Sequence, residues 1–137
     1  NNVISSHDKV QMKCHSLERL NDVKENDNYK NSNIIFIEEG QFFKDLFQFV
    51  TEAADIDNKI IYVAGLDGDF KRDQFGGICK LIPHAEEIIK LKAICSKCND
   101  GTEANFTKRI INNTCVELVG SKESYIPVCR KHYNEKN

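Results

Sequence analysis

Two adjacent acids, Glu38 and Glu39, directly follow a short run of apolar residues. The run Ile34–Ile37 contains three β-branched residues in four, which predicts a strand buried on both faces, as in a parallel sheet. In open α/β sheets, ligands bind at the carboxyl ends of the strands. Acids at such a position are placed to hold a metal ion or to accept a proton. The alternative interpretation is a solvated acidic turn.

A second set of candidate ligands lies in the last third of the chain. Cys95 and Cys98 form a C-x2-C pair, and Cys129 and His132 form a C-x2-H pair after thirty intervening residues. Four ligands of this kind complete a tetrahedral structural zinc site. The spacing therefore predicts zinc. The alternative is a lone redox-active cysteine pair, which the polar residues after Cys95 do not favour.

The other cysteines and the charge limit the class of protein. Cys14, Cys79 and Cys115 have no partner at ligand spacing and are predicted to be buried thiols. Metal-type spacing in place of cross-links indicates a reducing compartment, and we expect a cytoplasmic protein. The formal net charge of −2 gives no reason to expect nucleic acid or an anionic membrane as a partner. No apolar run approaches the roughly 18 residues that would span a bilayer.

The elements around the two acids predict a βαβ unit. Asp8 is a plausible N-cap for an N-terminal helix ending near Val23, and the polar segment 21–33 is predicted to be a linker or surface loop. After the acids, a helix is expected to begin near Phe42, followed by a second buried-type strand over Lys59–Gly65. This order predicts a right-handed βαβ unit in a parallel sheet. The apolar face of that helix comprises Phe42, Phe43, Leu46, Phe47, Phe49, Val50, Ala53 and Ala54.

The second strand leads into the loop Gly65–Phe70, which contains two glycines and two acids. Phe70 and Phe75 are either core residues or walls of a ligand pocket. A short helix over Ile78–Ile82, ended by the proline that follows, and a third strand over Ile88–Ile94 are predicted next.

The chain becomes β-rich after Cys95. Phe106–Ile111 and Cys115–Gly120 are joined by Asn-Asn-Thr, which predicts a hairpin. We therefore expect an α/β core over residues 1–94 and a small β-rich zinc-binding lobe over residues 95–137.

Several short motifs follow one another along the chain. They are Glu39-Gly-Gln-Phe-Phe, Ala64-Gly-Leu-Asp-Gly-Asp-Phe70, Phe75-Gly, Leu81-Ile-Pro, Ala85-Glu, Phe106-Thr-Lys-Arg109 and Tyr125-Ile-Pro-Val-Cys-Arg130. With these motifs in this order, the chain resembles the type II, cellular-type thymidine kinases from about Ser6 to its end. In that family a RecA-like P-loop kinase domain with a parallel sheet binds ATP, and a zinc lobe carries a lasso-like loop over the thymine base.

The resemblance implies roles for the matching positions. Glu39 would be the general base that takes the proton from the 5′-hydroxyl of thymidine, with ATP as the phosphate donor. Glu38 would stand where the family has an aspartate that helps to hold Mg²⁺. A homo-oligomer, dimer or tetramer, is also implied. The nucleoside site would comprise Phe42, Leu66, Phe70, Thr107 and Tyr125, with the main chain of Val116, Leu118, Val119 and Gly120 on the base.

Two departures from the family pattern leave a second possibility open. Glu38 replaces the usual aspartate, and no Gly-x-x-x-x-Gly-Lys-[Ser/Thr] motif occurs in these 137 residues. Phosphoryl transfer depends on the P-loop amides and lysine. Because the sequence lacks a starting methionine, we expect the C-terminal part of a longer kinase, with an incomplete sheet and no activity alone. The alternative is a non-catalytic zinc-binding structural or interaction module derived from this family.

Overall fold

The computed structural model describes residues 2–6, 8–110 and 124–135. Within those residues, eight strands form four two-stranded sheets. The strands are β1 (Val3–Ser5), β2 (Gln11–Lys13), β3 (Ile34–Ile37), β4 (Ile60–Val63), β5 (Ala93–Ile94), β6 (Glu103–Ala104), β7 (Phe106–Arg109) and β8 (Tyr125–Val128). The α-helices are α1 (Asp27–Asn31), α2 (Leu46–Asp55) and α3 (Arg130–Asn134), and 3₁₀ helices span Leu20–Val23, Gly40–Phe42 and Ile78–His84.

The predicted parallel pair of strands is confirmed. β3 and β4 pair in parallel, with Ile37 opposite Val63, and α2 lies between them in the chain. The helix buries Leu46, Phe49 and Ala53, which share one face because they recur at helical spacing. A strand, a helix and a parallel strand therefore place the end of β3 beside the end of β4.

The helix begins later than the sequence predicts, at Leu46 instead of near Phe42. After β3 the chain first makes the 3₁₀ turn Gly40–Phe42, in which the Gly40 N–H donates to the Ala64 carbonyl at 2.9 Å. That bond ties the turn to the end of β4, so α2 starts only once the chain has left the strand ends.

One face of this strand pair is exposed in the described structure, so the prediction of burial on both faces is wrong. Phe36 and Tyr62 lie opposite each other and stack with ring centroids 5.0 Å apart, and Phe36 is 76% exposed. Ile37 is buried because its side chain joins the core that contains α2. The described residues supply a core on one face only.

The N-terminal segment is a β-hairpin, so the predicted helix over Asp8–Val23 is wrong. β1 and β2 pair antiparallel, and Lys9 lies in the turn between them with a φ of 61°. Asp8 therefore caps no helix. Val10, the first residue of the apolar spacing, is exposed, whereas Leu20, near the end of the segment, is buried in the core. No core contact at Val10 therefore favours a helix in the first part of the segment. Only the 3₁₀ helix Leu20–Val23 is helical in this stretch.

The segment 21–33 is structured, contrary to the prediction of a linker. It contains α1, whose Tyr29 is buried against Phe49, with ring centroids 5.9 Å apart. The Tyr29 hydroxyl also donates to the Asp57 carboxylate at 2.5 Å. The polar composition hid this packing because a single aromatic side chain supplies it.

The predicted third strand over Ile88–Ile94 is also wrong, apart from its last two residues. β5 pairs antiparallel with β6, near the cysteines, and does not join the β3–β4 sheet. Ile88, Ile89 and Leu91 are exposed and lie outside any strand. An apolar run alone did not specify a strand here because no partner strand lies beside it among the described residues.

Three further expectations have mixed outcomes. The short helix predicted over Ile78–Ile82 is confirmed as the 3₁₀ helix Ile78–His84, but the prediction that the proline ends it is wrong, because Pro83 and His84 lie within the helix. Cys14 and Cys79 are half-buried, and Cys115 lies outside the described residues. In the part of the chain that the structure describes, no helix is long and apolar enough to cross a membrane.

The C-terminal part is built on the antiparallel pair β7–β8, with Phe106 opposite Val128. The strand predicted at Phe106–Ile111 is confirmed over Phe106–Arg109, whereas its predicted hairpin partner, Cys115–Gly120, lies outside the described residues. The buried Lys108 ammonium donates to the carbonyls of His132 and Glu135 at 3.0 and 2.6 Å, and so satisfies the C-terminal end of α3.

Candidate functional site

Glu38 and Glu39 lie just beyond the carboxyl end of β3, where the sequence places them. Glu39 has a φ of 55° and a ψ of 41°, in the left-handed region. That conformation costs a residue other than glycine about 1–2 kcal/mol. Such strain persists only where neighbouring contacts hold it, and it clusters at functional sites.

The buried side chain of Gln41 supplies such contacts. Its Nε2 donates to Glu39 Oε2 at 2.5 Å, and its Oε1 accepts from the Leu66 N–H at 3.1 Å. The acid after β3 and the loop after β4 are therefore held by one amide. Sequence reasoning did not assign Gln41 a role. The available signal was a polar residue between a glycine and two phenylalanines.

Two glycines allow the loop after β4 to close on Gln41. A Cβ at Gly65 would lie 2.5 Å from Gln41 Oε1. A Cβ at Gly76, whose φ is 57°, would overlap the Gln41 carbonyl oxygen. At either position a Cβ would lie closer to Gln41 than real Cβ atoms lie to their neighbours, so only glycine permits this close approach to Gln41.

The predicted pocket residues lie in two groups. Phe42 meets Phe75 edge to face with ring centroids 5.5 Å apart, and both Phe42 and Leu66 are about half exposed. Phe70 lies beside Tyr125, with ring centroids 6.3 Å apart. The other predicted residues, Val116, Leu118, Val119 and Gly120, lie outside the described residues.

Arg109 lies between the two rings of the second group. Its guanidinium carbon is 4.2 Å from the Phe70 ring centroid and 4.9 Å from that of Tyr125, and the guanidinium also donates to the Tyr125 hydroxyl. Thr107 is two residues earlier on β7 and therefore shares the face of Arg109. This face of the β7–β8 pair meets the loop that carries Phe70.

A second contact fixes Phe70 from α3. The Tyr133 hydroxyl donates to the Phe70 carbonyl at 2.8 Å. The Arg72 guanidinium lies 4.4 Å from the Tyr133 ring centroid and 5.7 Å from that of Phe106. Cation–π contacts of this kind contribute about 0.5–2 kcal/mol each. The helix next to the cysteine cluster therefore positions the Phe70 loop.

We expect Tyr133→Phe to loosen the Phe70 loop while leaving α3 intact, because the change removes the hydrogen bond and keeps the ring beside Arg72. The free energy of unfolding should fall by about 0.5–1.5 kcal/mol, and backbone amides of residues 66–75 should exchange faster. Denaturant unfolding and hydrogen exchange measure the two effects. Tyr62→Phe is the control, since that ring stacks on Phe36. Parental exchange in the Tyr133 variant would contradict the role.

The predicted metal ligands come together. The Sγ atoms of Cys95, Cys98 and Cys129 lie 3.4, 3.3 and 3.4 Å from His132 Nδ1, and the Cys98 and Cys129 sulfurs are 3.8 Å apart. With Zn–S about 2.3 Å and Zn–N about 2.0 Å, a tetrahedral site has edges of about 3.5 Å between S and N and about 3.8 Å between S atoms. The four residues therefore fit one zinc ion.

Three elements position these ligands. Cys95 and Cys98 lie in the turn between β5 and β6, Cys129 precedes the first residue of α3, and His132 lies within α3. The Cys95 N–H donates to the Thr102 carbonyl at 2.8 Å, which closes the turn. The Cys129 N–H donates to Cys95 Sγ at 3.3 Å, so that the backbone of one ligand stabilises the sulfur of another.

The thiols of the cluster differ in acidity. Burial opposes ionisation of Cys95, but main-chain N–H donors from Cys129 and Lys97 outweigh it, and the pKa of Cys95 is lowered to about 6. Burial and the neighbouring thiols raise the pKa of Cys98 to about 11. Since the thiolate is the metal ligand, metal binding must displace the Cys98 proton.

The comparisons with known proteins agree with one another. A family model described as thymidine kinase matches residues 1–133. A thymidine kinase of Oryza sativa subsp. japonica is 43% identical over 133 residues, which cover 95% of this chain and 48% of the relative. Thymidine kinase a of Arabidopsis thaliana is also 43% identical, covering 95% of this chain and 55% of the relative.

A viral relative is covered more fully. The thymidine kinase of Sheeppox virus (strain KS-1) is 43% identical over 132 residues, which cover 96% of this chain and 72% of the relative. The chain spans about half the length of the two plant relatives. With the family model matching nearly its whole length, the chain belongs to the thymidine kinase family.

Proposed function

We propose that the protein transfers the γ-phosphate of ATP to the 5′-hydroxyl of thymidine, a salvage step that supplies precursors for DNA synthesis. The observation that carries this proposal is the joint placement of an acid and a pocket loop. Glu39 stands at the carboxyl end of β3, and one buried amide links it to Leu66 at the start of the loop that leads to Phe70. Family membership supports the same reaction.

In this proposal Glu39 is the catalytic residue. Its carboxylate accepts the proton of the 5′-hydroxyl as that oxygen attacks the γ-phosphorus. General-base catalysis of this kind typically raises a rate by about 10²- to 10⁴-fold. Glu38 helps to hold Mg²⁺, which when bound neutralises charge on the phosphates. The bond between the γ-phosphorus and the β–γ bridging oxygen breaks, and ADP leaves.

The nucleoside binds among the pocket residues, and no charged side chain is needed to recognise its base. Aromatic rings offer stacking surfaces to a pyrimidine, and main-chain groups can hydrogen-bond its edge. We assign this role to Phe42, Leu66, Phe70, Thr107 and Tyr125, together with the main chain of Val116, Leu118, Val119 and Gly120.

The remaining parts of the proposal are supported by membership of the family and by the cysteine–histidine cluster. Cys95, Cys98, Cys129 and His132 hold a structural zinc ion, with no ligand position left for substrate. Residues 1–94 belong to a RecA-like P-loop kinase core with a parallel sheet, and residues 95–137 form the zinc lobe. The enzyme is cytoplasmic and forms a homodimer or homotetramer.

Phe70→Ala in the full-length protein tests the pocket. Losing a base-stacking ring costs about 1–3 kcal/mol, so the KM for thymidine should rise roughly 5- to 150-fold while the KM for ATP changes little. Phe47→Ala is the control, since its ring lies on α2 and contacts His84 in the 3₁₀ helix Ile78–His84. Equal changes in both KM values would show that Phe70 serves only packing.

The same assay tests the proposed reaction itself. The unsubstituted full-length protein should convert thymidine and ATP to thymidine monophosphate and ADP in equal amounts. If the folded, zinc-loaded protein lacks this activity, the proposal that it is a thymidine kinase is wrong. It would favour the alternative function, a non-catalytic zinc-binding module, which the replacement of the family aspartate by Glu38 also favours.

A further inference from the structure

We propose that Gln41 is a positioning residue that fixes the Glu39 carboxylate and the Leu66 loop in a single arrangement, so that base and nucleoside pocket are aligned by one side chain. The inference rests on the proposed function for the role of Glu39. The geometry that motivates it is independent of that function. Gln41 bridges two segments that are 25 residues apart in the chain.

The orientation of the amide is dictated by the chemistry of its partners. The Leu66 main-chain N–H can only donate, so the atom facing it must be the carbonyl oxygen, Oε1. The amide nitrogen then faces the Glu39 carboxylate, which accepts its hydrogen bond. Rotating the amide by half a turn would oppose two donors at Leu66 and two acceptors at Glu39.

Burial makes both bonds necessary. Gln41 is 4% exposed, so water does not readily replace a lost partner, and an unpaired buried polar group is costly. Gly65 and Gly76 lie so close to Gln41 that a Cβ at either position would clash with it, so the loop is packed tightly against this residue. The amide therefore specifies one loop position.

We call the two hydrogen bonds of the Gln41 side chain, to Glu39 and to Leu66, the clamp. The clamp gives the two oxygens of the Glu39 carboxylate different roles. Glu39 Oε2 accepts the bond from Gln41, and Oε1 accepts no hydrogen bond from the described residues. The left-handed backbone of Glu39 and the Gly40 N–H bond to Ala64 hold the residue at the end of β3. Oε1 is thus the atom we assign to accept the proton of the 5′-hydroxyl.

Two substitutions separate the two bonds. Gln41→Glu keeps the shape and the acceptor for the Leu66 N–H. Once its carboxyl is ionised, it places an acceptor where Glu39 needs a donor; while it holds a proton, its O–H can replace the amide donor. Gln41→Met keeps the approximate shape and removes both bonds. Gln48 provides the matched control, because its Nε2 also donates to a glutamate, Glu52 Oε1 at 2.9 Å, on the exposed surface of α2.

At a pH high enough to ionise the new carboxyl, we expect Gln41→Glu to lower kcat by about 10- to 100-fold, as displacement of a catalytic group by about 1 Å does. Its KM for thymidine should stay within about threefold of the parental value, because the Leu66 bond that orders the loop remains. Gln41→Met should lower kcat and also raise that KM. Gln48→Glu and Gln48→Met should leave both constants unchanged.

Hydrogen exchange at the Leu66 amide supplies a readout that needs no activity. That amide should be protected in the parental protein and in Gln41→Glu, and should exchange at least tenfold faster in Gln41→Met. An unprotected Leu66 amide in the parental protein would overturn the inference. So would a kcat of Gln41→Glu that stays parental across the whole pH range in which the variant is folded. If the parental protein does not phosphorylate thymidine, the proposed function fails, and the exchange series still decides whether the clamp exists.

Discussion

Replacing Glu39 by glutamine should lower the turnover of thymidine by about 10²- to 10⁴-fold, the usual range for loss of a general base. A 5′-hydroxyl is a poor nucleophile, and an amide cannot take its proton as the bond to phosphorus forms. The substitution should not disturb the fold, because a glutamine oxygen can still accept the hydrogen bond from Gln41 Nε2. The loss of turnover would therefore come from the missing base and not from a change in the fold.

Steady-state kinetics and a binding titration separate this effect from others. Thymidine affinity, measured by calorimetry in the full-length protein, should change by less than about threefold, because the side chain keeps its size. Glu38→Gln is the comparison: it should raise the Mg²⁺ concentration needed for half-maximal rate instead. A Glu39→Gln variant that turns over at the parental rate would show that the assignment is wrong.

The parts of the site that sequence predicts are those that local patterns specify. A β-branched run followed by two acids predicts where β3 ends, and it does end there, at Ile37, directly before Glu38 and Glu39. Ligands separated by two residues can turn onto one ion wherever the chain bends between them. The four residues predicted from this spacing do form a cluster that could hold a metal ion.

The elements that sequence analysis misplaced depend on partners distant in the chain. Ile88–Ile94 has the composition of a strand, but only Ala93–Ile94 finds a neighbour, and that neighbour is β6. The N-terminal segment has helical spacing, but Val10 and Met12 at its start are exposed while Leu20 near its end is buried, so a turn at Lys9 decides the conformation of the first part. Propensity yields to tertiary contacts in both cases.

The residues that align the site are harder still to predict. Gln41 meets Leu66 across 25 residues, and Tyr133 meets Phe70 across 63. No spacing pattern in the sequence indicates that this glutamine or this tyrosine has a hydrogen-bond partner elsewhere in the chain. Their roles become visible only when the fold brings the two segments together.

Cys98→Ser should release zinc and unfold the lobe around it. The buried core of this part of the described chain consists of three residues, Cys95, Ala104 and Val128. So small a core cannot stabilise the strands alone, and small domains of this kind depend on metals or cross-links. Structural zinc sites supply about 10–16 kcal/mol of binding free energy that is also folding free energy.

The freshly purified parental protein should contain one zinc per chain, and the variant much less than one. Backbone amides of β7, β8 and α3 should lose protection in the variant. Cys14→Ser is the control, because Cys14 is half-buried and lies outside the cluster. Parental protein without zinc, or a variant that keeps both its zinc and its protection, would refute the prediction.

The damage should extend beyond the lobe to the nucleoside site. Cys129 and His132 anchor the start and the middle of α3, and the next residue, Tyr133, donates its hydroxyl to the Phe70 carbonyl. When the ligands separate, that hydrogen bond and the Arg72 contact with the Tyr133 ring are lost together. Thymidine binding by Cys98→Ser should therefore weaken at least as much as in Phe70→Ala, although none of the four proposed zinc ligands is among the residues proposed to bind the nucleoside.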